Sequence, residues 1–485
     1  METRRRPVTY LVIGLIAVAL IAWLTARAVA KQRLIRALSS NDMSVRVARA
    51  RELLEAEKLV DALPAQPIIR RSKTAEALGE IGTDEAIRAL GVLLEDQEEA
   101  PKRWARQALA KIGKPSMPVL MHALAVGGAT KDEAVTALKS ENLGPSVVPE
   151  VRFLLTDRAA YKGAAEALSQ MGRPGIGALL EACYAVDIDL RKPALDNLGK
   201  QRVRAAIPAC LDNLKAGKSS AIGNAIAALG LIGDQSAAPA LLRFVASKDD
   251  RTGAVTSLGL LRYPGAVEPI LATLTETERA YRATAILALH RIGAPAFPGL
   301  IRTLQSPQLV LRRGAASALI GSRSSSLNAP LSAALKDPDS EVRASAALSL
   351  GWPGNVSAVS ALVPALSDPE WRVVDAAAYG LGAIGPSAVP PLLAAVSNPS
   401  EDLTTRYQVA RALSLMGRPA VPALIAALSR PDAGPEARKW AAVALGQIGD
   451  PRAVAPLKTL EKTSTGDLKW QAQEQLRVLA GLTKF

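Results

Sequence analysis

Apolar positions along this chain fall on one helical face at a time, in blocks that restart about every thirty residues. One phrase marks the register: Leu-Gly-x-Ile-Gly, as in Leu78-Gly79-Glu80-Ile81-Gly82, Leu381-Gly382-Ala383-Ile384-Gly385 and Leu445-Gly446-Gln447-Ile448-Gly449. Its leading Leu sits at positions 53, 78, 109, 138, 168, 198, 229, 258, 289, 319, 350, 381, 413, 445 and 476. After a first step of 25, every spacing is 29 to 32 residues. A register kept this long is the signature of stacked units, each too small to bury its own apolar stripe.

The slots around this index Leu have physical reasons. Four residues before it, twelve of fifteen repeats carry Ala, including Ala105, Ala225, Ala346 and Ala441. Positions four apart share a helix face, so a small residue there admits a neighbouring helix while Leu fills the gap. Four residues after it, nine repeats carry Gly, among them Gly82, Gly233 and Gly449, as a left-handed C-terminal cap requires. Pro then follows, as at Pro118, Pro208, Pro298, Pro390 and Pro422, where the first turn of a helix needs no N–H donor. Asp337-Pro338, Asp368-Pro369 and Asp432 mark the turn inside a repeat, and Asp there is expected to cap the second helix. Each unit therefore reads as a first helix, a tight turn, a second helix and a glycine-led exit.

The run Asp337-Pro338-Asp339-Ser340-Glu341-Val342-Arg343, followed by Ala346, Leu350 and Gly351, resembles the HEAT repeat. Its short, Ala-rich form is similar to the repeats of phycobilisome-lyase-like HEAT proteins. The resemblance spans residues 31–485 and implies an all-α fold, an α-α superhelix or solenoid of about fifteen two-helix repeats. It implies no single activity, because the family includes adaptors, regulators, enzyme subunits and a few enzymes.

Ahead of the repeats, a basic tail over residues 1–7 precedes a transmembrane helix or signal anchor expected over 8–30. Arg4, Arg5 and Arg6 are followed by an uncharged run from Val8 to Ala26, about 28 Å of helix and close to bilayer thickness. Tyr10 and Trp23 sit near its ends, as interfacial aromatics do. A cleavable signal peptide is the alternative, with Leu11–Leu24 as its apolar core and Ala28-Val29-Ala30 as its small residues. Nothing breaks the helical pattern between Leu11 and Leu38, which favours an uncleaved, single-pass anchor. The expected place is a bacterial cytoplasmic membrane with the lipid bilayer contacted through 8–30. Short basic N-termini stay inside, so the repeats are expected on the exported side, although Arg27, Lys31, Arg33 and Arg36 oppose this.

Composition narrows the function. Hydrophobic residues make up 49% of the 485 and aromatics only 4%, which suits thin layers of Ala- and Leu-rich helices. Of the net charge of +14, residues 1–40 hold +6, so the repeats are only mildly basic and no nucleic-acid partner is expected. Cys183 and Cys210 occupy apolar slots and read as small buried hydrophobes. His122 and His290 stand alone, so no metal, cofactor or catalytic centre is expected.

Three sets of side chains stand out. A basic residue precedes the index Leu by seven in twelve repeats, with Arg46, Arg71, Arg191, Arg251, Arg282, Arg312, Arg343, Arg406 and Arg438 among them. Recurrence in every layer points to a structural ladder bridging neighbouring repeats. Arg202, Arg262 and Arg323 replace the capping Gly, either as cations at a helix C-terminus or as a contact strip for an acidic partner. The tryptophans are the candidate partner-binding residues, Trp104, Trp352, Trp371 and Trp440 foremost, with Trp470 beside the last three in the C-terminal third. Trp104 and Trp440 share a slot that elsewhere holds Lys73, Glu133, Asn224 or Gln408, which suggests that it faces solvent. The expectation is a membrane-anchored scaffold that binds another protein. The alternatives are an accessory factor for an enzyme, such as a lyase-like chaperone for chromophore attachment, and, less favoured, a nucleic-acid binder.

Overall fold

The computed structural model describes residues 36–482 except 56–58, 60–62, 65, 141, 216–220, 248–249 and 399–401. The tail expected over 1–7 and the anchor expected over 8–30 lie outside the described residues. Among the described residues, no single helix is long and apolar enough to cross a membrane.

The described residues form 28 α-helices, and the chain divides into two compact units, Met1–Ile232 and Gly233–Phe485. Seven index positions fall in the first unit and eight in the second, each on the second helix of a repeat. Each unit is an all-α solenoid. Fourteen of the fifteen index leucines are buried, and Leu476 is half-buried. All twelve of the Ala residues four positions earlier are fully buried, with 0% exposure, so the Ala–Leu pair is the repeating core of both units.

One repeat shows why the sequence folds this way. Thr83 caps the helix Asp84–Leu94 by accepting from the Ala86 N–H at 3.4 Å, and Asp84 and Glu85 favour its positive end. After the turn, Glu99–Ile112 carries Ala105 and Leu109 into the core. The exit begins at Gly113 with φ 79° and ψ −142°. That combination excludes a Cβ more strictly than the left-handed helical cap seen at Gly82, with φ 67° and ψ 10°. A 3-10 turn, Lys114–Ser116, then leads into Met117–Val126, whose first turn holds Pro118. The sequence pattern anticipates the Gly and the Pro but not this 3-10 turn, which recurs at Ala294–Ala296, Pro386–Ala388, Arg418–Ala420 and Pro451–Ala453.

The turn inside a repeat differs from expectation. The cap of Ser340–Leu350 is Asp339, which accepts from the Glu341 and Val342 N–H groups, whereas Asp337 accepts from the Asp339 N–H at 2.9 Å. Asp432 caps nothing; its carboxylate pairs with Arg430, and Ala433 occupies the cap of Gly434–Ile448. Having no side-chain acceptor, that helix instead starts on Gly434-Pro435, whose missing N–H needs no partner.

Candidate protein-docking face

The nine ladder arginines are engaged within the stack. Arg343 forks onto Asp368 of the next repeat at 2.7 and 2.8 Å and onto the carbonyls of Asp337 and Pro338 in its own turn. Arg312 repeats this with Asp337 at 2.8 and 3.2 Å, and Arg71 with Asp96 at 2.6 and 2.9 Å. The same carboxylates accept a backbone N–H two residues on, so one Asp fixes its turn and grips the previous repeat. Burial opposes ionisation of Asp368, but the bonds from Arg343 and the Glu370 N–H outweigh it and lower its pKa. Elsewhere the ladder uses other partners: Arg46 binds Glu76, Arg251 binds Glu278 and lies over the Tyr281 ring, and Arg406 binds Glu436. Arg191, Arg282 and Arg438 donate to carbonyls at the turns.

A different surface is left open on three second helices of the last four repeats, Trp371–Ile384, Leu403–Leu415 and Gly466–Leu482, whereas Gly434–Ile448 between them keeps its large apolar side chains inside. Trp371 is 69% exposed, Tyr379 62%, Tyr407 54% and Trp470 55%, with Leu403, Leu415 and Val478 exposed beside them. Along each helix these residues are spaced by four or multiples of four, so they share its outward face. Tyr407 meets the buried Trp440 edge to face, with ring centroids 6.4 Å apart. Charges within the face are matched: Asp375 with Arg411, Asp467 with Lys439, and Glu474 with Arg477.

The repeats match the family model described as HEAT repeats over residues 56–139, 246–320, 327–406 and 389–477, more than half of the 485 residues. The chain belongs to the HEAT-repeat family. Residues 223–247 also match the PBS lyase HEAT-like repeat. No curated protein matches this HEAT-repeat chain. Among solved structures, Kap121p is 14% identical with a TM-score of 0.42, and the likeness covers 93% of this chain and 57% of that one. The Kap95:Nup1 complex is 13% identical with a TM-score of 0.42, over 93% of this chain and 77% of that chain. An engineered protein is 20% identical with a TM-score of 0.25, over 92% of this chain and 98% of its own. The chain thus spans 57% of the length of the Kap121p structure.

The tryptophans expected to bind a partner are separated by the HEAT packing. Trp371 is exposed, Trp104 and Trp352 are half-buried, and Trp440 is 4% exposed with its indole N–H on Glu436 at 3.1 Å. The slot of Trp104 and Trp440 therefore does not face solvent. It faces the joint between successive second helices, where Lys73 reaches Asn41, Glu133 accepts from Arg106 and Asn224 reaches Asp196. Polar residues fit there because each finds a partner in the adjoining repeat.

Arg202 and Arg262 take the left-handed conformation, with φ 53° and 50°, the only non-glycine residues with positive φ among those described. Each closes its helix with paired bonds: Arg202 N–H to Gly199 and Val203 N–H to Leu198, then Arg262 N–H to Gly259 and Tyr263 N–H to Leu258. Arg323 differs. An exit shifted by two residues gives the positive φ to Gly321, at 81°, and leaves Arg323 as an ordinary loop residue. All three side chains are exposed.

Tyr379 and Tyr407 are the members of the open face that the expected tryptophan set leaves out. The slot of Tyr407 gave a signal. Six residues before the index Leu, other repeats carry Arg103, Asp132, Lys162 or Arg313 where Tyr407 and Trp470 stand. Cys183 and Cys210 are buried, and burial pushes both thiols up to about 12, which leaves them unreactive. His290 holds the Ala318 carbonyl of the next repeat at 3.1 Å.

Proposed function

We propose that this chain is a scaffold that docks another protein on the open face of residues 371–478 and is held at a membrane by residues 8–30. The observation carrying the docking reading is the exposure of Trp371, Tyr379, Tyr407 and Trp470 on three of the last four second helices, when most large apolar side chains of the repeats are buried. Exposed Trp and Tyr on a rigid element provide large contact area at little cost in ordering, which is why they dominate binding hot spots. The anchor is supported by the uncharged run from Val8 to Ala26 and its basic flank. The repeats then lie on the exported side of a bacterial cytoplasmic membrane.

A photo-crosslinking residue in place of Tyr379 or Tyr407, in cells, tests the docking reading. The expected result is one discrete protein adduct from both positions, absent when the same group replaces Phe153, an exposed residue of the first unit. Equal labelling from Phe153, or none from either tyrosine, contradicts it.

A further inference from the structure

One edge of the second unit carries charge that its packing does not use. Arg262, Arg291 and Arg323 stand at or just past the C-terminal ends of the second helices of three consecutive repeats, after Leu258, Leu289 and Leu319. Arg262 and Arg323 are exposed, and Arg291 is half-buried. None of the three guanidinium groups has a hydrogen bond or an ion pair among the described residues. The exit segments 261–267, 291–297 and 321–327 contain no Asp or Glu. In the first unit such an end is paired, Lys111 with Glu80 of the preceding repeat at 2.6 Å. The residues that correspond to Lys111 on either side of Arg291 are Leu260 and Gly321, so that pairing is not open to it. A helix C-terminus favours a cation in its last turn, which suits Arg291, but the effect fades within that turn and reaches Arg323 little. Arg262 is held at φ 50°, where Gly would be unstrained. Unpaired charge and backbone strain kept at one edge point to use rather than to packing.

We propose that this edge binds an extended acidic protein segment, a run of Asp or Glu, through Arg262, Arg291 and Arg323. It shares no residue with the aromatic docking face and does not rest on that reading. Packed helices stand about 8–10 Å apart, so three consecutive repeats spread their guanidinium groups over roughly 16–20 Å. A single carboxylate or phosphate cannot meet all three, whereas a run of carboxylates can. Each guanidinium can take one carboxylate on two parallel N–H groups, and no acid of the edge competes for it. A nucleic-acid strand fits less well, because the three exit segments expose no aromatic ring on which a base could stack. A lipid surface also fits less well, because they expose no large apolar side chain to enter a bilayer interface.

The test is a titration of the detergent-solubilised full chain with a dye-labelled oligoglutamate about twelve residues long, enough to span the edge, read by fluorescence anisotropy. A single-stranded oligothymidine and a short-chain phosphatidylglycerol serve as rival probes. The expected result is saturable oligoglutamate binding that weakens with salt. Arg262→Gln, Arg291→Gln and Arg323→Gln are each expected to weaken it about threefold, and all three together about tenfold or more. The control set is Arg88→Gln, Arg158→Gln and Arg430→Gln, exposed arginines ion-paired with Glu85, Asp187 and Asp432. It removes the same charge and is expected to leave binding largely unchanged. Arg262→Gly is expected to bind as weakly as Arg262→Gln while unfolding at a higher temperature, a combination that impaired folding cannot give. Absent oligoglutamate binding, equal weakening by the control set, or tighter binding of a rival probe through the same three arginines overturns the proposal.

Discussion

Gly351 lies so close to Gly380 of the next second helix that a methyl group built on it would stand 2.2 Å from the Gly380 Cα. The approach recurs at the residue after the index Leu: a Cβ on Gly199 would meet the Ala228 Cα at 2.7 Å, and one on Gly259 the Ala288 Cα at 2.7 Å. At these three positions successive second helices thus touch backbone to backbone, and packing calls for Gly there. Because the obstacle is main chain, it cannot swing aside. Gly351→Ala is expected to cost about 1–3 kcal/mol in urea unfolding. Gly177→Ala is the control. A Cβ there meets nothing within 4 Å on the helix Gly172–Ala182, so it is expected to stabilise by about 0.5–1 kcal/mol.

The two arginines in left-handed conformation make a prediction of opposite sign. Arg202→Gly and Arg262→Gly are each expected to stabilise by a few tenths to about 1 kcal/mol, since Gly meets no Cβ penalty at that cap. Arg323→Gly, where the backbone does not require it, is expected to give no gain. Thermal unfolding of the three variants decides this.

The Arg343–Asp368 clamp has both side chains largely buried, at 12% and 10% exposure. Asp368→Leu alone leaves a buried guanidinium facing its own turn without its carboxylate, and is expected to destabilise by about 3 kcal/mol. Adding Arg343→Met is expected to recover most of that loss, because the uncompensated charge goes with it. A double-mutant cycle in urea measures the coupling.

Asp450 carries a pH signature. Three bonds from Arg452, two by its guanidinium and one by its N–H, hold its carboxyl at about 2, below the usual carboxylate value of 3.8. A folded-state pKa below the unfolded one contributes stability that is present above about pH 4 and is lost as pH falls through about 2. The Asp450→Asn variant is therefore expected to differ from wild type by a constant shift in unfolding midpoint above pH 4 and to converge with it on acidification. Parallel curves down to pH 2 would contradict the assignment.

Much of this architecture was legible in the chain. Leu350, Ala346 and Gly354 announce core, close approach and exit because each slot tolerates few side chains. The joint was not legible. Trp440 and Lys73 share one slot and look like surface residues, yet one is buried and the other is tied to the preceding repeat. Polarity reports exposure only where no neighbour supplies a partner, and in a stack the neighbour is about thirty residues away. The open face was half legible. Trp371 stood out by its residue type, whereas Tyr407 needed comparison with the charged residues that fill its slot elsewhere.

Hydroxyl-radical footprinting tests the docking face most directly. The chain in its native membranes and the purified chain are oxidised in parallel and compared by mass spectrometry. Protection of Trp371, Tyr379, Tyr407 and Trp470 in membranes is expected, while Phe153 and Tyr184, which are also exposed, are oxidised equally in both samples. Equal oxidation of the four aromatics with and without the native surroundings would contradict the account.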